Sequence, residues 1–187
     1  GINPENGKFF VATKALFNKV PKINYTVADV EANHGTQGPS DKLKAAIKTL
    51  PDLGMEGIYQ GDIMFSKGDL TKQKIDGASC LTFTPNTITY AVPEDSDLAS
   101  QMRKATLGVV WHTKYTGDTI SSLKASYGVD SSIFRKTKKV WFDDAYVDTA
   151  NAATFTPKET KQLEKKINQI AGAAVKAGKF LNVLAKE

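Results

Sequence analysis

Thr156-Pro157-Lys158-Glu159 constrains this chain more than any other stretch. A hydroxyl residue, a proline at the first helical position and a glutamate three residues after the hydroxyl form a capping box, and the helix it opens has an unambiguous start. Leu163, Ile167, Ile170 and Ala174 then recur at helical spacing, and the stripe runs on towards Phe180, Leu181 and Leu184. The pattern predicts a long amphipathic helix from Pro157 to about Ala185, weakened at Gly172 and Gly178. Residues 151–187 are therefore expected to begin a helical unit of their own. An isolated helix of this kind is marginal in water, so its stripe calls for an apolar partner. The first half is expected to pack on the chain's own sheet core or adjoining loops. Phe180, Leu181, Val183 and Leu184 are expected to pack on residues outside the chain.

Residues 1–150 read differently, as short apolar runs broken by turn formers. Strand-like runs are KFFVAT (Lys8 to Thr13), GIYQGDIMF (Gly57 to Phe65), CLTFT (Cys80 to Thr84), TITYAV (Thr87 to Val92), LGVVWHTKY (Leu107 to Tyr115) and Val140 to Phe142. Thr26 to Asn33, Ser40 to Leu50 and Asp95 to Lys104 read as short helices, the first two opening on a hydroxyl that caps them. Strands with short helices between them predict an α+β fold with mainly antiparallel sheets, followed by the long C-terminal helix. The opening GINPENGKFFVATK reads as the second half of a β-hairpin turning at Asn6-Gly7. The chain is thus expected to be an excerpt whose preceding strand is missing.

Composition removes several classes of function. No apolar run approaches the ~20 residues of a membrane-spanning helix, and the start lacks a secretory pattern. Cys80 is the single cysteine, which leaves no internal disulfide and no thiolate cluster. His34 and His112 are the only histidines, far apart and without an acidic pattern, so neither a triad nor a zinc site is predicted; His34 precedes Gly35 as a helix-end residue. No serine has the context of a nucleophile elbow. GAAVKAGKF (Gly172 to Phe180) has the wrong spacing for a phosphate-binding loop and lies inside the predicted helix. The Asn24-Tyr25-Thr26 sequon carries no weight without other signs of secretion. Net charge is +5, from 25 Lys and Arg against 20 Asp and Glu, and only Arg103 and Arg135 are arginines. The excess concentrates at Arg135, Lys136, Lys138 and Lys139, a block that reads equally as a phosphate-binding face or a solvated turn.

GIYQGDIMF is the locally inconsistent run. Gln60 and Asp62 fall on one side of the strand, Tyr59 and Ile63 on the other. An aspartate in a buried strand costs several kcal/mol unless it is paired or bound to a cation; the plain alternative is a bulged edge strand with Asp62 in water. Gly61 admits close approach of a ligand or a second backbone. KQKIDGASC (Lys72 to Cys80) poses a sharper question, because Lys74 to Gly77 spell KxDG, the string in which ATP-dependent DNA and RNA ligases place their nucleophilic lysine.

Four strings decide it. GKFFVATKALFNKVPKINYTVADVEANHG, GIYQGDIMF, TFTPNTITYAVP and GVVWHTKYTG together resemble a family of proteins from T4-like phages and cyanophages, over Gly1 to about Asp144. That family is similar in layout to the covalent nucleotidyltransferases, the polynucleotide ligase superfamily. The resemblance implies a ligase-like adenylation core in which Thr13-Lys14 follows the nucleophile hairpin, Asp62 is the acidic residue of the third motif, and Tyr90 or Phe83 stacks on adenine. Gly108-Val109-Val110 resembles the fourth motif, and Lys138 and Lys139 the last. Leu107 stands where ligases carry a metal-binding Glu. Lys74 comes after Asp62, in the wrong order, and GDLTKQKIDGAS reads as a loop ending in an Asp-Gly turn.

What the resemblance implies is ATP-dependent adenylyl transfer by a lysine upstream of Gly1, with ATP and Mg2+ as cofactors. Lys14, Tyr90, Lys114, Lys138 and Lys139 would bind nucleotide, and Asp62 would orient the ribose or hold the metal. Asp62, Lys14, Tyr90 and Lys114 are expected to face one cleft. The alternative is a non-catalytic virion protein that reuses the fold as a connector or decoration, docking on other phage virion proteins through its last helix. A nucleic-acid-binding module is a third reading, supported by the lysine excess. The expected setting is host cytoplasm or phage virion, with no membrane partner.

Overall fold

Short runs punctuated by turn residues become two sheets in the computed structural model, which describes residues 1–36, 38–145 and 155–184, without the side chains of 39 and 179–184. The chain divides into two units, Gly1–Ala145 and Tyr146–Glu187. The first holds helices α1 (Val27–His34), α2 (Pro39–Thr49) and α3 (Asp97–Lys104). Its strands are β1 (Ile58–Ser66), β2 (Thr71–Ile75), β3 (Ala78–Phe83), β4 (Tyr90–Pro93), β5 (Leu107–Thr116), β6 (Lys124–Tyr127) and β7 (Val140–Asp144). One sheet centres on β5, with β1 on one side and β6 and β7 sharing the other; the second runs β2-β3-β4. The fold is α+β and mainly antiparallel, with one parallel pair, β5 with β7.

Local sequence explains most boundaries. Thr26 caps α1 and Asp29 returns the bond, a complete capping box. Ser96 caps α3 through the Ala99 N–H. Ser40, expected to cap α2, does not: Gly38 at φ 68° is the cap residue, Pro39 takes the first helical position and Ser40 is buried inside the helix. Gly35, rather than His34, closes α1, with φ 80°.

Two segments depart from expectation. Lys8 to Thr13 is not a strand; it is held by isolated bridges, Ile2 with Phe9 and Val11 with Asn24. The preceding turn is fixed by side chains, since Asn3 and Asn6 both donate to the Tyr25 hydroxyl, at 2.6 and 3.0 Å. Asn24 is fully buried and donates to the Val11 carbonyl at 2.9 Å, so the sequon amide is occupied inside the protein. The second departure is KQKIDGAS, expected as a loop. It is the hairpin β2–β3, turning at Asp76 (φ 49°) and Gly77 (φ 84°). Two successive positive φ angles are what a two-residue hairpin turn requires, and Asp-Gly supplies them. Lys74 is an exposed strand residue paired with Ser79.

Three apolar clusters use both faces of the β5 sheet. Val30, Leu43, Ala46, Leu50, Trp111 and Phe134 join α1 and α2 to one face. Phe10, Leu16, Ile58 and Ile120 form a second cluster, and Phe65, Leu81, Phe83, Val92 and Met102 tie in the smaller sheet. The second unit is described by α4 (Pro157–Leu184), whose capping box is formed as expected: Thr156 N–H donates to Glu159 at 2.8 Å and Glu159 N–H to Thr156 at 3.3 Å. Leu163, Ile167 and Ile170 stand exposed along it, as does Val175. The contacts expected of Phe180, Leu181, Val183 and Leu184 lie outside the described residues. No helix among the described residues is long and apolar enough to cross a membrane.

Candidate functional site

Two bulges in the β1–β5 ladder decide which side chains meet. Gln60 pairs with Thr113 but Gly61 pairs with Trp111, so His112 is an extra residue on β5. Directly opposed residues share a face, which puts Tyr59 with Lys114, and Gly61 with Trp111, on the face covered by α2. Gln60 with Thr113, and Asp62 with Val110, take the other. The bulge turns His112 to that second face as well: its Nδ1 lies 2.7 Å from Thr113 Oγ1 and its Nε2 3.9 Å from Asp62 Oδ2. His112 also marks where β5 changes neighbours. Its carbonyl accepts from Gly128 beyond β6, and the Trp111 carbonyl accepts from Ala145 beyond β7. Gln60, Asp62, His112 and Thr113 thus form a polar band, extended by Tyr115, whose hydroxyl donates to Gln60 Oε1 at 2.5 Å.

Beside this band is a cavity of about 350 Å³ between the Phe10–Phe17 segment and β1. Both walls run away from Gly1, starting at Phe10 and Ile58 and ending at Lys14 and Asp62. The lining is mostly apolar, Leu16, Leu50 and Trp111 included, and the end at Lys14 and Asp62 carries the charged side chains. Lys14 opens a 3-10 turn (Lys14–Phe17) capped by Thr13, whose Oγ1 accepts from the Ala15 N–H at 3.2 Å. Phe17, half exposed, packs against Tyr115 with ring centroids 5.4 Å apart.

Lys14 and Asp62 therefore share one cavity wall to wall, and Tyr90, Lys114, Lys138 and Lys139 are not among its lining residues. Lys114 is on the opposite face of the sheet from Asp62, so the single cleft expected for these side chains is not formed. A side-chain period of two, read without the bulge, cannot locate Lys114 relative to Asp62. Tyr90 lies in the smaller sheet, stacked on the buried Phe83 with centroids 5.3 Å apart and planes 7° from parallel. Lys138 is exposed in the approach to β7, and Lys139 bonds Asp52 at 3.0 Å. Sequence reasoning missed His112, Tyr115 and Trp111. The polar turn of LGVVWHTKY was the one available signal, and only the register shows its meaning.

Gly61 answers to packing. A Cβ there would come 2.5 Å from the Val110 carbonyl oxygen and 2.9 Å from the Trp111 ring, so the glycine admits an indole, not a ligand. Asp62 is the plain alternative realised, a bulged edge-strand carboxylate with a side chain 73% exposed. A metal cage built from protein donors alone does not fit this set, because no three of His, Cys, Asp and Glu converge among the described residues. Burial raises the pKa of the Tyr59 phenol, with nearby Glu56 adding to the effect.

No curated protein and no solved structure matches the chain. The model of one family matches residues 1–187, and on that match the chain belongs to DUF6267, a family of unknown function.

Proposed function

We propose that residues 1–145 form a ligase-like nucleotidyltransferase core that binds ATP at the charged end of the cavity. One observation carries the reading: Lys14 and Asp62, distant in sequence, stand on the two walls of one cavity, as the resemblance to covalent nucleotidyltransferases requires. Lys14 would neutralise phosphate charge, and Asp62 would accept from a ribose hydroxyl with His112 and Thr113 beside it. Mg2+ carried by the triphosphate would take Asp62 as one ligand and polarise the α-phosphate. On the resemblance, the amine that attacks that phosphorus, releasing pyrophosphate, belongs to a lysine preceding Thr13-Lys14 and not to Lys74.

Titrating ATP while following the fluorescence of Trp111, which lines the cavity, tests the binding step. Lys14→Ala and Asp62→Asn should each weaken binding by roughly tenfold or more, since a hydrogen bond to a charged group is worth about 1.5–3 kcal/mol. Lys138→Ala and Lys114→Ala should not. Saturable ATP binding that ignores both Lys14 and Asp62, or no binding at millimolar ATP, refutes the assignment.

The exposed Leu163, Ile167 and Ile170 favour a second reading, in which the last helix docks on another virion protein and the core is a non-catalytic connector. Absence of ATP binding would favour it.

A further inference from the structure

The apolar end of the cavity has features that a nucleotide does not explain. Gly1 and Phe10 exchange both backbone bonds, amine to carbonyl at 3.0 Å and N–H to carbonyl at 2.8 Å. On its other side Ile2 donates to the Gly57 carbonyl at 3.0 Å, and a Cβ on Gly1 would lie 2.7 Å from the Ile58 Cα. The first two residues are thus sandwiched between the Phe10 segment and the start of β1, antiparallel to both. Beyond Gly1 the two walls continue without a strand between them. Among the described residues β1 pairs only with β5, so its outer edge is open. Backbone alternation turns Tyr59 and Gly61 the same way as Gly57, into the cavity. On the facing wall Val11 is paired outward with Asn24, alternation turns Ala12 inward, and its N–H has no partner among the described residues. Trp111 lines the same space, only 4% exposed, and its indole N–H has no partner among the described residues.

Two facing backbone edges, an apolar lining above and below, and a line of entry already occupied by Gly1 define a slot for a β-strand. We propose that this cavity is a strand-acceptor site, filled by an extended polypeptide segment joined to Gly1 and running antiparallel to both walls. Its backbone groups bond Ala12 on one side and Tyr59 and Gly61 on the other, converting two bridges and an edge strand into one continuous sheet. Its side chains alternate between the cluster of Leu43, Ala46 and Trp111 and the cluster of Phe10, Leu16 and Ile58, so small aliphatic residues suit both faces. The end farthest from Gly1 reaches Lys14 and Asp62, where a side chain of the inserted strand would meet whatever those residues bind. Replacing the α-amine by a peptide bond also removes a poorly placed charge, since burial holds that amine down at about 5. The inference rests on backbone and apolar walls and is independent of the nucleotide reading.

The test adds a hexapeptide of alternating Val and Thr before Gly1 and reads amide hydrogen exchange by mass spectrometry. Peptides covering Ala12 to Lys14 and Tyr59 to Asp62 should exchange at least about tenfold more slowly than in the 187-residue chain, as newly paired amides do. A control extension of six prolines has no N–H to offer either wall, and its rings keep it from pairing as a strand, so it should give no protection. Exchange within twofold of the parent chain for the Val/Thr extension, or equal protection from the proline extension, overturns the proposal. Both variants keep every residue of the folded unit, so the result does not hinge on a damaged core, and it does not depend on ATP binding.

Discussion

Replacing Gly108 by alanine probes the contact on which the β1–β5 ladder turns. Gly108 pairs with Phe65, and a Cβ there would lie 2.1 Å from Phe65 Cε1 and 2.5 Å from Cδ1 and Cζ. The ring cannot swing away freely. Phe65 is wholly buried, with Phe83 at 5.3 Å and Trp141 at 6.0 Å between centroids. Overpacking of this kind costs about 1–3 kcal/mol. Against it stands a gain of about 0.4–1 kcal/mol from the less flexible unfolded chain, available because Gly108 has no positive φ. The balance is a loss of roughly 1–2 kcal/mol. Phe65→Leu removes Cε1 and Cζ, two of the three clashing atoms, and should itself cost less than the about 3–5 kcal/mol of full truncation. In that background Gly108→Ala should change sign and become neutral or slightly stabilising. Urea unfolding followed by tryptophan fluorescence, with Trp141 close to the ring, gives the four midpoints at a common m-value. A Gly108→Ala chain within 0.5 kcal/mol of the parent, or a coupling with Phe65→Leu below 0.5 kcal/mol, refutes the packing account. The fourth-motif reading of Gly108-Val109-Val110 would then regain its claim on the glycine.

Lys74→Ala should leave stability within about 0.5 kcal/mol, as for an ordinary exposed site, and no AMP should be found on Lys74 by mass spectrometry after incubation with ATP. For a chain that starts at Gly1, the buried amine predicts a pH slope. Its pKa falls from 8.0 unfolded to about 5 folded, so the unfolded state binds more protons between those values and stability rises with pH across that window, by up to about 4 kcal/mol. Acetylating the amine should flatten the slope, and a slope unchanged by acetylation would place its origin elsewhere.

Much of the fold was legible because it is written locally. Thr26 with Asp29, Ser96 and Thr156 with Glu159 announce helices through bonds they make themselves. β1, β3 and β5 carry apolar runs dense enough to be read as strands. β2 and β6 were not read, and both lie almost wholly exposed, so neither shows the one-sided pattern that marks a strand. KFFVAT shows the converse. Its residues favour a strand, yet a strand needs a run of pairs with one neighbour, and here Phe10 pairs with Gly1 while Val11 turns to Asn24. Lys14 and Asp62, singled out by the resemblance, both line the cavity. Lys114 was misplaced and His112 dismissed for a single reason. Register is a property of two strands together, and one inserted residue exchanges the faces of everything beyond it.

The two bulges also explain how a short ladder serves three apolar clusters and still shows polar side chains. Each sits next to a glycine lying under an aromatic ring, Gly61 under Trp111 and Gly108 under Phe65. The glycines let large rings cross the ladder at these two points, while the inserted residues switch which face the following side chains take. Asp62, between the crossings, and His112, just outside the first, are left on a face that neither the Phe10 cluster nor the Phe65 cluster covers. Stability is thereby assigned to glycines and rings, and charge to side chains that bury little. Asp62, 73% exposed and 3.9 Å from His112, carries little of the folding energy. A loss of ATP binding in Asp62→Asn with an unchanged urea midpoint therefore reports on the ligand alone. The same loss after Gly61→Ala or Gly108→Ala reports on the scaffold, and the two kinds of evidence should not be pooled.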